Sequence, residues 1–258
     1  MCNRKSVAIV TGASQGIGRA AAVRLARDFS VIVLVARDKD NLEKSAAEAR
    51  ALGAETMVLA VDLRQPQSAK TIVEETLARF GRIDALLNIA GAVAQIDLFQ
   101  MIDAQWDDGM ALKFHGARRL TMEAWSALKA SKGSVVLISG SAAFAPKPGN
   151  AAVAAINAAI DALAKAFAEQ GIKDGVQVNS ESPGAVMTGR RRMFFESWAP
   201  AHNLTVDDAI KKFPEQVGIT RFGKPEEVAD LMSFLVSPAA KWMTGASIRM
   251  DGGEIKGI

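Results

Sequence analysis

The sequence has no tyrosine, one cysteine and two histidines in 258 residues. Without tyrosine, no phenol can serve as acid, base or hydrogen-bond donor anywhere in the chain. The lone cysteine, Cys2, excludes a disulfide framework within the chain and fits a reducing compartment, so a cytoplasmic protein is expected. No group of His, Cys and Asp has metal-ligand spacing, so no metal is expected. No apolar run approaches the ~20 residues of a membrane helix, and Met1-Cys2-Asn3-Arg4-Lys5 has no signal-type apolar region behind it. The net charge is only +3 and no long Lys/Arg run exists, which argues against nucleic acid as a partner.

What the chain does have is alternation. Apolar runs of strand length are followed by helix-spaced apolar patterns along its whole length, and at 49% hydrophobic residues it can bury a large core. This predicts an α/β fold with a parallel sheet and helices on both faces, as a single domain over 1–258. Strands are expected at Val7–Val10, Val31–Val35, Thr56–Val61, Ile83–Leu87, Ser134–Ile138, Val176–Asn179 and Ala246–Met250. Helices are expected at about 16–27, 66–80, 103–130, 151–169 and 225–235, and around Leu42 to Leu52. Residues 188–216 are basic, aromatic and less periodic.

Between the first strand and first helix lies Thr11-Gly12-Ala13-Ser14-Gln15-Gly16-Ile17-Gly18. Glycines allow a sharp turn and close approach of backbone to a ligand. The helix behind them offers free N–H groups and the positive end of its dipole. Strand, glycine turn and helix together point to a pyrophosphate, hence a dinucleotide.

Further residues carry a family resemblance: Asp62, Asn88-Ile89-Ala90-Gly91, Pro183-Gly184-Ala185-Val186-Met187-Thr188, Arg221-Phe222-Gly223-Lys224-Pro225-Glu226-Glu227-Val228-Ala229, Thr244-Gly245-Ala246 and Asp251-Gly252-Gly253. With the glycine turn, these resemble a short-chain dehydrogenase/reductase over essentially the whole chain. The resemblance implies a Rossmann-type, doubly wound, seven-stranded parallel sheet, usually assembled as a homotetramer. It implies a nicotinamide cofactor site: Gly12, Ser14, Gly16, Ile17 and Gly18, with Thr11, at the pyrophosphate; Asp62 and Leu63 at the adenine; Asn88 and Gly91 at the ribose; Pro183, Gly184, Val186 and Thr188 over the nicotinamide. The second strand ends in Ala36-Arg37 rather than an acid. Arg37 can pair with a 2′-phosphate, which favours NADP, with NAD still open. Gln15, where many NADP-using relatives carry a basic residue, pulls the other way.

The resemblance also implies hydride transfer between the nicotinamide and a small carbonyl or alcohol substrate, using an Asn, a Ser, a Tyr and a Lys. Here those four positions fall on Lys113, Gly140, Val153 and Asn157. Asparagine and lysine are thus exchanged between two helices, so one ammonium and one amide would still face one pocket. Lys113 and Asn157, with Ser139 or Ser141 to orient an oxygen, are the candidate catalytic residues. His115 is expected to face away from Lys113, Glu181 to take a hydrogen-bonded structural place or act as a base, and His202 to lie in the variable lid. The resemblance makes 188–216 that lid, beginning Arg190-Arg191-Arg192-Met193-Phe194-Phe195, a mixture able to receive an anion with an apolar body. Three readings follow: a reductase with a rebuilt centre, a silent dinucleotide-binding subunit, or a nucleic-acid binder resting only on net basicity and the arginine triplet.

Overall fold

The computed structural model describes residues 5–257; Cys2 lies outside them. Seven strands form one sheet in the order β3-β2-β1-β4-β5-β6-β7, every adjacent pair parallel. They are β1 Val7–Thr11, β2 Val31–Ala36, β3 Glu55–Ala60, β4 Ala85–Asn88, β5 Ser134–Ile138, β6 Gln177–Pro183 and β7 Ser247–Met250. The helices are α1 Gly16–Leu25, α2 Lys39–Ala51, α3 Ser68–Phe80, α4 Asp103–Gly109, α5 Ala117–Ser131, α6 Ala151–Asp174, α7 Gly189–Ala201, α8 Val206–Gln216 and α9 Pro225–Val236.

The continuous apolar runs of β1, β2 and β5 follow from burial on both faces. On one face Val7, Ile9, Val33 and Leu86 pack with residues of α3, α5 and α6; on the other, Ala8, Val10, Ile32 and Leu34 pack with residues of α1, α2 and α9. The chain runs outward from β1 to β2 and β3, then returns to β4 on the other side of β1. That reversal opens a crevice at the C-terminal ends of β1 and β4, where open α/β sheets bind their ligands.

Four details depart from the sequence expectation. The long helix expected at 103–130 is broken by a π-helical segment, Met110–Gly116. Strand β6 runs on through Ser180, Glu181 and Ser182, polar residues that hide a buried strand. Residues 188–216 fold as two helices, each N-capped by a threonine, Thr188 and Thr205, around a small core of Phe195, Ala199 and Ala209. Finally, the segment Pro148–Asp174 is long and apolar enough, by length and composition, to cross a membrane, contrary to expectation. Its apolar content has a local use, since Ile160, Ala164 and Ala168 are buried in the core beneath the sheet.

Candidate functional site

A cleft of about 1040 Å³ opens along the C-terminal edge of the sheet, large for a small-molecule site. Its first wall is backbone. Gly12 and Gly16 adopt φ of +67° and +54°, the left-handed region that favours glycine. A Cβ on Gly18 would stand 2.1 Å from the Gly12 carbonyl oxygen, so helix and strand meet closer than any side chain permits. Gln15 at the N-cap of α1 makes no side-chain cap bond, which leaves that end's N–H groups to the cleft. Ser14, Ile17 and Gly18 line it too. These residues fit a pyrophosphate: glycines where a Cβ would intrude, at a free helix N-terminus.

Beyond the turn, Arg37, Asp62 and Leu63 line the cleft. Arg37 is well exposed, with Nη1 3.9 Å from Asp62 Oδ2. Asp62 is held more firmly from its own loop, where its Oδ1 accepts from the Arg64 backbone N–H at 3.0 Å.

Two implied residues lie beneath the wall instead of on it. Thr11 Oγ1 accepts from the Ile89 and Ala90 backbone N–H groups, tying β1 to the end of β4. Asn88 is buried, its amide donating to Thr121 Oγ1 at 3.0 Å. Gly91 does line the cleft, as do Pro183, Gly184, Val186 and Thr188.

The far end of the cleft is made of side chains. Lys113 sits in the π-helical segment, and Asn157 is two turns into α6. The Lys113 ammonium donates to the Ser139 carbonyl oxygen at 2.9 Å and to Asn157 Oδ1. An ammonium has three donors, so one remains for the cleft. Burial pushes the Lys113 pKa down to about 8, with the Arg190 charge adding to the effect. Lys113 and Asn157 are therefore in direct contact. A glycine allows the closeness: a Cβ on Gly109 would meet Ile156 of α6 at 3.0 Å.

Gly140 belongs to the same arrangement. A Cβ there would come within 2.6 Å of the Asn157 amide nitrogen. Asn157 thus fills space that a serine at 140 would claim, and Val153 forms apolar wall beside it. Ser139 lines the cleft, but its hydroxyl is turned inward, its one proton lying between Asp161 Oδ2 and the Asn157 carbonyl oxygen, each 2.9 Å away. Ser141 does not line the cleft; its hydroxyl lies 3.4 Å from Glu254 Oε2.

Asp161 escaped the sequence reading. It also accepts from Ser180 and Ser247, and it is the acidic group whose charge opposes the fall in the Lys113 pKa. Its signal was its place one helical turn after Asn157 on the same face of α6.

Glu181 takes neither expected role. It lies in register with Ile138 and Ile248, on the sheet face turned away from α6, while its neighbour Ser180 faces Asp161. Neither carboxyl oxygen has a hydrogen-bond partner among the described residues, and burial pushes its pKa up to about 9. His115 lies in the π-helical segment outside the cleft lining, and His202 stacks on Trp198.

A family model described as enoyl-(acyl carrier protein) reductase matches residues 12–254. The chain belongs to the short-chain dehydrogenase/reductase family. It is 29% identical over 248 residues to the 3-oxoacyl-(acyl-carrier-protein) reductase of Staphylococcus epidermidis, covering 95% of this chain and 97% of that one. Among solved structures, L-sorbose reductase from Gluconobacter frateurii, complexed with NADPH and L-sorbose, superimposes with a TM-score of 0.93 at 28% identity, over 98% of both chains. A variant of actinorhodin polyketide ketoreductase with NADPH superimposes with a TM-score of 0.92 at 26% identity, covering 98% of this chain and 99% of the other. As a family member, the chain is an NAD(P)-dependent reductase by type.

Proposed function

We propose that this chain is an NADP-dependent oxidoreductase that reduces a carbonyl compound, or oxidises the matching alcohol, through a centre built on Lys113 and Asn157. When bound, the cofactor would supply or accept the hydride. The glycine turn Gly12–Gly18 would hold its pyrophosphate, Asp62 and Leu63 its adenine, and Gly91, Pro183, Gly184, Val186 and Thr188 its nicotinamide half. Arg37 would meet the 2′-phosphate. NADPH in both solved relatives supports that preference.

The observation that carries the reading is the one ammonium proton of Lys113 left unused beside the cleft. With a pKa of about 8, Lys113 is an acid of useful strength near neutral pH. In reduction it donates that proton to the carbonyl oxygen as negative charge develops there. Asn157 and the Ser139 carbonyl hold the ammonium in place, and Asp161 keeps it charged. The Ser139 hydroxyl is spent on these supports, and that of Ser141 faces Glu254, rather than substrate. Helices α7 and α8 act as the lid over the substrate.

The deciding experiment measures NADPH oxidation across a panel of ketones and aldehydes. Turnover that disappears in Lys113→Met, with NADPH binding intact, supports the reading. Turnover indifferent to Lys113 overturns it. The missing tyrosine favours a second reading, a silent dinucleotide-binding subunit. Tight NADPH binding with no oxidation across the panel, and turnover gained by Gly140→Ser, Val153→Tyr and Asn157→Lys together, would establish that one.

A further inference from the structure

Three consecutive arginines open α7, and the fold treats each differently. Arg192 turns outward to Glu196 at 3.5 Å and Asp207 at 4.0 Å. Arg191 lies over the rings of Phe213 and Phe194, 5.6 and 6.0 Å from their centroids. Arg190 turns into the cleft, where its Nη1 donates to the Gly91 carbonyl oxygen at 2.7 Å. Arg190 keeps an exposed face, while desolvation by the cleft walls lowers its pKa from the ordinary arginine value, as burial does for Arg191. Among the described residues, neither has a carboxylate at ion-pair distance.

Lys113 reaches the same glycine from below. Its side-chain carbons come within 3.0–3.5 Å of where a Cβ on Gly91 would stand. Arg190 and the Lys113 stem thus flank Gly91, and the two charges are close enough for Arg190 to weaken the charged state of Lys113. Like charges gathered against low-dielectric walls repel, and an anion placed between them relieves the repulsion. In the functional reading above, the cofactor's phosphates already have the glycine turn and Arg37.

Resting on that reading, we propose that Arg190 binds a carboxylate of the substrate, so that the compound reduced is an oxo acid. Guanidinium and carboxylate match as a planar, bidentate pair. Met193 and Phe194, which also line the cleft, cover the apolar remainder of the molecule.

The test is calorimetric titration of the whole chain saturated with NADP⁺, where no reduction can follow. Benzoylformate is compared with its neutral methyl ester. The wild type is expected to bind the acid about tenfold or more tighter than the ester, the scale of one charge-assisted pair. Arg190→Ala abolishes the difference, Arg190→Lys keeps part of it, and the affinity for NADPH, read by fluorescence, stays unchanged. Equal binding of acid and ester by the wild type overturns the proposal. So does an Arg190→Ala variant that keeps its preference for the acid but binds NADPH more weakly, since the guanidinium would then serve the cofactor's pyrophosphate. Loss of all carbonyl reduction with the acid preference intact counts against the reductase reading alone, and reduction of neutral ketones with no acid preference counts against this proposal alone.

Discussion

The two ends of the cleft are built by opposite means. The glycine end is backbone: left-handed φ values, a free helix terminus and contacts too close for any Cβ. The lysine end is side chain on side chain: Lys113 on Asn157, Asn157 against Gly140, and Ser139, Ser180 and Ser247 on Asp161. A backbone site tolerates few changes, because its shape is its function. A side-chain site can be rewritten residue by residue while the helices beneath it stay in place. In the proposed reading, this lets one chain pair a readily readable dinucleotide cradle with a centre that has no tyrosine.

The strongest way to break this comparison is at the lysine. Lys113→Met is expected to lower turnover by about 10²–10⁴-fold, the usual worth of a positioned acid, with NADPH affinity unchanged in a fluorescence titration. In the wild type, the reduction rate should fall as pH rises through about 8, where Lys113 loses its proton; that limb should vanish in the variant. Next comes the backbone end. Gly18→Ala places a methyl 2.1 Å from the Gly12 oxygen and should weaken NADPH binding by about 10–100-fold, with little effect on any turnover that remains at saturating cofactor.

Glu181 sharpens the contrast between a buried charge with partners and a buried acid without them. Its pKa is raised from 4.5 to about 9 in the folded chain. Between those values the native state holds a proton that the unfolded chain has released, so stability falls as pH rises through that window and levels off above it. Glu181→Leu should remove this slope and stabilise the protein by roughly 3 kcal/mol at pH 7, read by denaturant titration at pH 5, 7 and 9. A slope that survives the substitution would locate the effect elsewhere. The smallest effect is expected at exposed Arg37: Arg37→Ala should cost about tenfold in NADPH affinity and little in NADH affinity.

Legibility in the sequence followed the same division. Strands β1, β2 and β5 could be read because burial on both faces demands unbroken apolar runs, and the glycine turn because only glycine fits it. The end of β6 could not, since Ser180, Glu181 and Ser182 carry polar side chains into the interior. The π-helical break around Lys113 was hidden because one widened turn leaves no mark on hydrophobic period. The Lys113–Asn157 pair was legible only as an exchange against the family pattern. Asp161 and the separate roles of the three arginines needed coordinates, because they depend on where side chains turn. Asn88 and Thr11 showed the opposite error: their motif positions were plain, but their side chains tie strands and helices together beneath the cleft.

The Gly140–Asn157 contact also couples two positions energetically. A Cβ at 140 would stand only 2.6 Å from the Asn157 amide nitrogen, so a serine there displaces the end of the side chain that holds Lys113. Substitutions at 140 and 157 are therefore expected to be non-additive, and a double-mutant cycle reads their coupling.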